Sequence, residues 1–168
     1  VVLPDFQARI RDAGVSRVAI HARKAWLQGL SPKENRDIPP LDYELVHAMK
    51  ARFRDLHISI NGGIESLDQA KSHLEAGLDG VMIGRAVYHD PYGVLAAADA
   101  EIFSKEDDTR SRISVALAMR PYIEQHLAAG GRLHSVTRHM LGLFTGQPGA
   151  RAWRRHLSEH GHAHGAGI

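Results

Sequence analysis

The chain begins with short branched apolar runs that alternate with segments of helical spacing. The apolar runs predict strands at residues 17–20, 57–60 and 80–83, because branched apolar side chains fit a buried sheet. Helical spacing predicts helices near residues 6–13, 43–53 and 67–76. Ser66 and Gly77 supply an N-cap and a C-cap for the last of these helices. The alternation is typical of an α/β fold with a parallel sheet.

After Pro91 the strand pattern stops and helical spacing continues. It predicts helices near residues 113–120, 123–127 and 136–144, and another that begins at Ala150. Glycines at 130–131 and in the run 146–149 predict the turns between them. We therefore divide the chain into a partial barrel at residues 1–100, a small helical domain at 101–160 and a disordered tail at 161–168.

Three parallel strands cannot close into a barrel by themselves. An open sheet of this kind would leave long strand edges unpaired. The chain also begins without a methionine, in the helix that would precede a strand. We therefore expect the C-terminal part of a (β/α)₈ TIM barrel, comprising its last three strands, with the earlier part missing. An all-α helical domain is expected to follow.

Two glycine turns follow the second and third predicted strands. Asn61, Gly62 and Gly63 come after the second strand, and Gly84 and Arg85 come after the third. Glycines let backbone N–H groups approach a ligand without interference from Cβ, and a following helix N-terminus adds positive partial charge. Because the loops after the last two strands of such barrels commonly bind phosphate, we predict that both turns hold one phosphate group.

Composition adds two constraints on function. The chain has no cysteine, which excludes disulfides, thiolate metal sites and a cysteine acid within these residues. No apolar run is long enough to span a bilayer and the start does not resemble a signal peptide. We therefore expect a cytoplasmic protein with no membrane partner.

Charge is distributed unevenly although the net charge is only +2. Between residues 110 and 155 there are eight arginines and one acidic residue, Glu124. This imbalance favours nucleic acid as a partner. The alternative is a solvated basic face that binds nothing. His160, His162 and His164 could bind a metal, but clustered terminal histidines are more typical of a frayed tail, and we predict no metal site.

A long loop, residues 21–36, follows the first predicted strand. Loops of this length after barrel strands are usually functional. Taken alone, His21 is as often a structural residue as a ligand contact, and Lys33 and Arg36 would more often be plain solvated charges.

Four segments together resemble the A subfamily of the tRNA-dihydrouridine synthases. They are the loop 21–41, the turn 61–64, the stretch 80–92 and the late run 141–155. The similarity extends over nearly the whole chain, from about residue 15 to residue 159. Glycine turns occur in many phosphate-binding barrels, whereas the loop 21–41 and the run 146–155 are specific to this resemblance.

The resemblance implies a flavin-binding barrel followed by a tRNA-binding helical domain. Family members use FMN, reduced by NADPH, to reduce the C5=C6 double bond of uridine in the tRNA D-loop. The residues implied to bind FMN are His21, Asn61, Gly62, Gly63, Gly84 and Arg85. The residues implied to contact tRNA are Lys33 and Arg36 in the loop, and Arg151 and Arg154 in the helical domain. No protein partner is implied.

The family's proton donor to uracil is a cysteine, and further flavin contacts come from a glutamine and a lysine. All three belong to the earlier barrel strands, in the N-terminal part that we expect to be missing. This chain therefore carries no catalytic residue, and we expect it to be inactive alone. Two alternatives stay open: another FMN- or phosphate-binding barrel enzyme with a small substrate, which the basic helices disfavour, and a non-catalytic RNA-binding module.

Overall fold

The computed structural model describes residues 2–26, 28–106, 109–163 and 165–167. The chain forms two compact units, Val1–Gly84 and Arg85–Ile168. The first unit is α/β and the described part of the second is helical. The predicted domain limits at residues 100 and 160 stay predictions.

A three-stranded parallel sheet forms the centre of the first unit. Its strands are β1 (Arg17–His21), β2 (His57–Asn61) and β3 (Gly80–Met82), in the order β1-β2-β3. His21 pairs with Asn61, and Asn61 pairs with Met82, so the carboxyl ends of the three strands share one edge. The three strands and their parallel α/β arrangement were predicted correctly. Their place as the last strands of an eight-stranded barrel stays a prediction.

Helices of the first unit precede or follow these strands, as the helical spacing predicts. They are α1 (Val2–Asp12), α2 (Tyr43–Arg52) and α3 (Leu67–Glu75), with a short 3-10 helix at Glu34–Arg36. The predicted N-cap of α3 is confirmed, whereas its C-cap is Ala76, one residue before the predicted Gly77. The Ser66 side chain accepts from the Gln69 amide at its start. Gly77, with a φ of +95°, follows its end in the left-handed conformation that glycine favours.

The core of the first unit lies between the sheet and its helices. Ile58 and Ile60 of β2 and Val46 of α2 are fully buried. Burying a side chain of this size contributes about 1.5–3 kcal/mol relative to leaving it exposed. The remaining members of the buried cluster are Ile20, Ala22, Met49, Phe53, Leu56, Ile64 and Leu78. This core holds the ends of β1 and β2 in fixed register.

The described part of the second unit consists of short helices and turns. The helices are α4 (Arg85–His89), α5 (Pro91–Leu95), α6 (Ala98–Phe103), α7 (Arg112–Ala118), α8 (Arg120–Ala128), α9 (Leu133–Thr137) and α10 (Ala150–His160). Three predicted helices are confirmed: α7 near residues 113–120, α8 near residues 123–127, and α10 from Ala150. The helix expected after the Gly84–Arg85 turn is present as α4, whereas α5 and α6 were not predicted. Those two helices are five and six residues long, too short for helical periodicity to stand out.

The helix predicted at residues 136–144 is wrong beyond Thr137, where α9 ends. From there the chain continues in turns, with bonds such as Met140 to Thr137 and Leu143 to Met140. Successive turns of this type repeat every three residues, so their apolar positions imitate helical spacing. In the predicted tail, His164 lies outside the described residues, and disorder of residues 161–168 stays a prediction.

Candidate functional site

Side chains at the carboxyl edge of the sheet form one hydrogen-bond network. Asn61 ends β2 and lies between His21 and Met82 in the strand register. Its Nδ2 donates to the Met82 carbonyl at 2.8 Å, and its Oδ1 lies 2.6 Å from His21 Nδ1. Because an amide oxygen can only accept, His21 carries a proton on Nδ1. The other ring nitrogen, Nε2, is then the atom with which this imidazole can contact a ligand.

The turn after β2 requires glycine at two successive positions. Gly62 and Gly63 have φ values of +115° and +67°, which other residues rarely adopt. A Cβ on Gly63 would lie 2.5 Å from Leu41 Cδ1 and 3.1 Å from the Tyr43 hydroxyl oxygen. Leu41 and Tyr43 therefore pack closely against a stretch of backbone that has no side chains of its own.

Tyr43 also holds the orientation of this turn. Its hydroxyl donates to the Gly62 carbonyl at 2.9 Å. Burial raises the pKa of Tyr43, so the hydroxyl remains a donor at neutral pH. Sequence reasoning did not assign this residue. The N-cap Asp42, which accepts from the Leu45 amide, marks the helix start, but nothing in the sequence indicates a contact 19 residues away.

The second glycine turn follows the neighbouring strand at the same edge. Gly84 comes two residues after the end of β3, and no heavy atom lies within 4 Å of a Cβ placed on it. Arg85 is the exposed first residue of α4 and opens the second unit. The structure thus places His21, Asn61, Gly62, Gly63 and Gly84 at the ends of adjoining strands. The contribution of Arg85 to an anion site stays a prediction.

The long loop after β1 is ordered by a few polar contacts. Arg23 forms an isolated bridge with Leu41, and its guanidinium donates to the carbonyls of Asp37 and Pro39. Asn35 accepts from the Trp26 amide at 2.7 Å and donates to the Trp26 carbonyl at 3.0 Å. These contacts fold the described residues of the loop, on either side of residue 27, back on one another.

Two predicted tRNA contacts lie on this ordered loop. Lys33 immediately precedes the 3-10 helix Glu34–Arg36, and Arg36 is its last residue. Both side chains are exposed. The two cations therefore lie on one short turn of helix, although their contact with tRNA stays a prediction.

The arginines of α10 lie on the exposed side of that helix. Arg151, Arg154 and Arg155 are exposed, whereas Trp153 and Leu157 are partly buried. The Trp153 indole donates to the Met140 carbonyl at 2.9 Å, and its ring centroid lies 4.9 Å from that of Phe144. This distribution divides the helix into an arginine face and an apolar stripe. It leaves guanidinium groups at the surface of the second unit.

The described residues provide neither a cluster of metal ligands nor a membrane-spanning helix. Within the parts of the chain that the structure describes, no group of three or more histidine, aspartate or glutamate side chains could hold a metal ion. None of the described helices is both long enough and apolar enough to cross a membrane.

Comparison with known proteins gives consistent matches. The family model described as dihydrouridine synthase (Dus) matches residues 3–167. Curated proteins named tRNA-dihydrouridine(20/20a) synthase are similar to this chain. The protein from Shewanella oneidensis is 57% identical over 166 residues, which is 99% of this chain and 49% of that protein.

Other relatives with the same name give the same result. The protein from Vibrio vulnificus is 53% identical over 167 residues, 99% of this chain and 51% of its own length. The protein from Escherichia coli strain K12 is 59% identical over 149 residues, 89% of this chain and 43% of its own length. The chain thus spans about half the length of the curated relatives it matches.

Proposed function

The chain belongs to the dihydrouridine synthase family, and from this we propose that the protein containing it reduces uridine in tRNA to 5,6-dihydrouridine. The reaction consumes one uridine, one NADPH and one proton, and gives dihydrouridine and NADP⁺. The relatives' names specify positions 20 and 20a, which we propose as the targets. The observation that supports this most directly is the arrangement of His21, Asn61 and the Gly62–Gly63 turn at one sheet edge.

The sheet edge fits the phosphate end of FMN. A phosphate needs hydrogen-bond donors and close access to backbone, and the turn at Gly62 and Gly63 presents backbone without Cβ atoms. Space for a side chain is open at Gly84, two residues after the end of the neighbouring strand. We propose that these three glycines and Asn61 hold the phosphate, with the guanidinium of Arg85 as a further donor. When bound, FMN supplies the hydride that reduces the C5=C6 bond.

His21 is proposed to contact the flavin through Nε2. The Asn61 Oδ1 atom accepts a hydrogen bond from the Nδ1–H group of His21, which fixes the orientation and tautomer of the ring. Asn61 is itself fixed because its Nδ2 donates to the β3 carbonyl of Met82. The imidazole is therefore positioned before a ligand arrives, which reduces the ordering cost of binding.

The exposed cations are proposed to hold tRNA by its backbone. Lys33 and Arg36 lie on the ordered loop, and Arg151 and Arg154 lie on the exposed side of α10. Phosphate contacts of this type position the nucleic acid without reading its sequence. A uridine must also leave its stack for the ring to reach the flavin. The family resemblance assigns the proton that completes the reduction to a cysteine, and because these residues contain none we propose that the donor lies elsewhere in the protein.

The test uses the purified protein that contains this chain. We expect it to retain FMN, identified by its absorbance spectrum and mass, and to form dihydrouridine in tRNA when NADPH is supplied. Replacing Asn61 by Ala should lower FMN retention, because the histidine and the β3 carbonyl lose their shared partner. A protein that binds no flavin and leaves tRNA unreduced would contradict the proposal.

A second pair of variants separates RNA binding from flavin binding. The double variant Arg151→Ala and Arg154→Ala should weaken tRNA binding and reduce its salt slope by roughly one to two, because phosphate contacts release counterions. Flavin retention should stay at the wild-type level. Arg120→Ala is the matched control, because Arg120 is an exposed arginine that already pairs with Glu124 at 2.9 Å. Unchanged affinity and slope in the double variant would show that α10 is only a solvated face.

A further inference from the structure

A hydrogen-bonded chain of three side chains lies at the surface of the second unit and includes none of the residues assigned above. Arg138 Nε donates to His139 Nε2 at 3.0 Å, and His139 Nδ1 lies 3.2 Å from the Tyr88 hydroxyl oxygen. Arg138, His139 and Tyr88 are all exposed. None of them is required by the contacts proposed for Arg151 and Arg154 on α10.

The direction of these hydrogen bonds follows from the chemistry of the groups. A guanidinium can only donate, so His139 Nε2 must accept. A neutral imidazole that accepts at Nε2 carries its proton on Nδ1, and therefore donates to the Tyr88 oxygen. Tyr88 then has its own O–H proton to donate elsewhere. The series of hydrogen bonds therefore ends at the Tyr88 hydroxyl, whose O–H can donate to a ligand.

The two segments that carry these residues are held together independently of the chain of bonds. The Thr145 hydroxyl donates to the His89 carbonyl at 3.0 Å. Gly142 approaches the same carbonyl so closely that a Cβ would lie 2.5 Å from the oxygen. The turns after α9 therefore pack directly on the end of α4. Tyr88 and His139 are brought together by backbone packing, and their contact does not depend on chance side-chain positions.

The surface offers donors rather than acceptors. Arg138 uses Nε toward His139, and its guanidinium also carries four N–H groups on Nη1 and Nη2. The Tyr88 side chain is 60% exposed, so its hydroxyl can be reached from solvent. A ligand that only accepts hydrogen bonds and carries negative charge matches both groups, and a phosphate oxygen has these properties.

We propose that Tyr88 and Arg138 form a second contact with the tRNA backbone and hold one phosphate group, with His139 as the positioning residue. This rests on the proposed function, because tRNA is the anionic partner that it supplies. His139 would act indirectly, by fixing the direction of the Tyr88 hydroxyl. The contact is made by α4 and the turns after α9, and α10 plays no part in it.

The experiment measures tRNA binding by the purified protein that contains this chain, over a range of salt concentrations. Tyr88→Phe should weaken binding roughly three- to tenfold, the usual loss for one hydrogen bond, and leave the salt slope unchanged. Arg138→Gln should weaken binding to a similar or greater extent and reduce the salt slope by roughly one. Both side chains are exposed, so thermal melting should be unchanged.

Matched controls come from the same unit. Tyr122→Phe alters a tyrosine of similar exposure, 56%, and Arg120→Gln alters an exposed arginine paired with Glu124. Neither control should change affinity by more than about twofold, since exposed pairs contribute little. If the two proposed residues hold the same phosphate, the double variant should lose less than the product of the single losses.

The role of His139 is tested by coupling. When His139 is already replaced by Ala, Tyr88→Phe should lower the affinity for tRNA little further. In a His139→Gln protein, whose amide can still accept and donate hydrogen bonds, Tyr88→Phe should again lower the affinity in part. Wild-type affinity in Tyr88→Phe and Arg138→Gln would overturn this proposal alone, provided that the wild type forms dihydrouridine. A wild-type protein that neither binds nor modifies tRNA would overturn the proposed function, and this proposal with it.

Discussion

The two units differ in how their side chains are held in place. In the first unit Ile58, Ile60 and Val46 are fully buried, whereas the buried apolar residues described in the second unit, such as Ile123 and Leu143, retain 5–8% exposure. Both units expose large apolar side chains, for example Phe6 in the first and Phe103 in the second, so the contrast lies in the buried residues. The first unit is therefore organised by a sheet and its core, and the second relies more on polar contacts between short helices.

This difference matches what each unit is proposed to do. A site that grips a cofactor through backbone groups needs strand ends held in register to a fraction of an ångström. A surface that contacts phosphates needs exposed cations and tolerates small movements. The comparison predicts that core substitutions will damage the first unit more than the second.

The largest effect is expected for Ile60→Ala in β2. It removes a fully buried side chain next to Asn61 and should destabilise the protein by about 3–4 kcal/mol. Ile123→Ala in α8 is the comparison variant and should cost about 2 kcal/mol, because its surroundings are less completely buried. Denaturant unfolding, with hydrogen exchange to localise the loss, measures both. Equal losses at the two positions would remove the distinction between the units.

The next effect concerns the glycine turn and uses two glycines of the first unit. Gly63→Ala should cost about 2 kcal/mol, from a φ of +67° and from displacement of Leu41 and Tyr43. Gly77→Ala places alanine at a φ of +95° with no atom within 4 Å, and should cost about 1 kcal/mol from backbone strain alone. Thermal melting gives the stability difference.

Flavin retention separates the same two variants further. Gly63→Ala should lower it because the clash with Leu41 and Tyr43 shifts the backbone of the proposed phosphate turn, and Gly77→Ala should not, because that residue follows the end of α3. Equal flavin content in the two proteins would contradict the placement of the phosphate at Gly63.

The sequence predicted the elements of the first unit better than those of the second. Strands and helices bounded by Ser66, Gly77 and glycine turns have local signals, and those signals agree with the fold. Short helices such as α5 and α6 lack a full period of apolar positions. The turns after Thr137 resemble a helix only in the spacing of their apolar residues. They are stabilised by the close packing of Gly142 on the His89 carbonyl, a contact between residues far apart in the chain.

The candidate site was predicted in part for the same reason. Asn61 and the glycines that follow it carry a recognisable local pattern, and pairing of neighbouring strands brings them to one edge. Tyr43, Leu41 and the bond from Asn61 to Met82 depend on tertiary contacts. A single sequence contains no local signal for such contacts, so a structure was needed to find them.

A moderate effect is expected for Arg112 in the second unit. Its guanidinium donates to the Leu143 carbonyl, lies 3.7 Å from an Asp90 carboxylate oxygen and is 4.2 Å from the centroid of the Tyr92 ring. Its side chain is only 17% exposed, compared with 61% for Arg120. These contacts join α7, the start of α5 and the turns after α9, and supply the polar packing on which the unit depends.

Arg112→Met should therefore destabilise the protein by about 1–2 kcal/mol, since it removes a partly buried charged hydrogen bond and a cation–π contact. Arg120→Met should cost no more than about 0.5 kcal/mol, because its pair with Glu124 is exposed. Denaturant unfolding of both variants measures the difference. A loss at Arg112 as small as that at Arg120 would mean that polar contacts do not hold the second unit together.

The smallest effect concerns a histidine pair in the first unit. His47 Nε2 lies 3.2 Å from His73 Nδ1, and the ring of Tyr43 meets His73 edge to face with centroids 4.7 Å apart. Partial burial, and to a lesser degree the neighbouring His47, lower the pKa of His73. The pair joins α2 to α3, the helices before and after β2. Protonation of the pair therefore affects the packing of the two helices that flank this strand in the chain.

The sign of the pH dependence follows from this lowered pKa. As pH falls through the ordinary histidine range near 6.5, the unfolded chain takes up a proton at this position before the folded chain does. Folding is therefore penalised progressively until the pH passes below the folded-state pKa.

His73→Gln removes the titration while keeping a polar side chain, and should make the fall in melting temperature between pH 7.5 and about 5.5 shallower than in the wild type. Since burial is the larger cause, His47→Gln should remove only a smaller part of the slope. Melting curves of the three proteins at matched pH values measure these differences, and identical slopes in the wild type and His73→Gln would show that the pair contributes nothing to the acid sensitivity of the first unit.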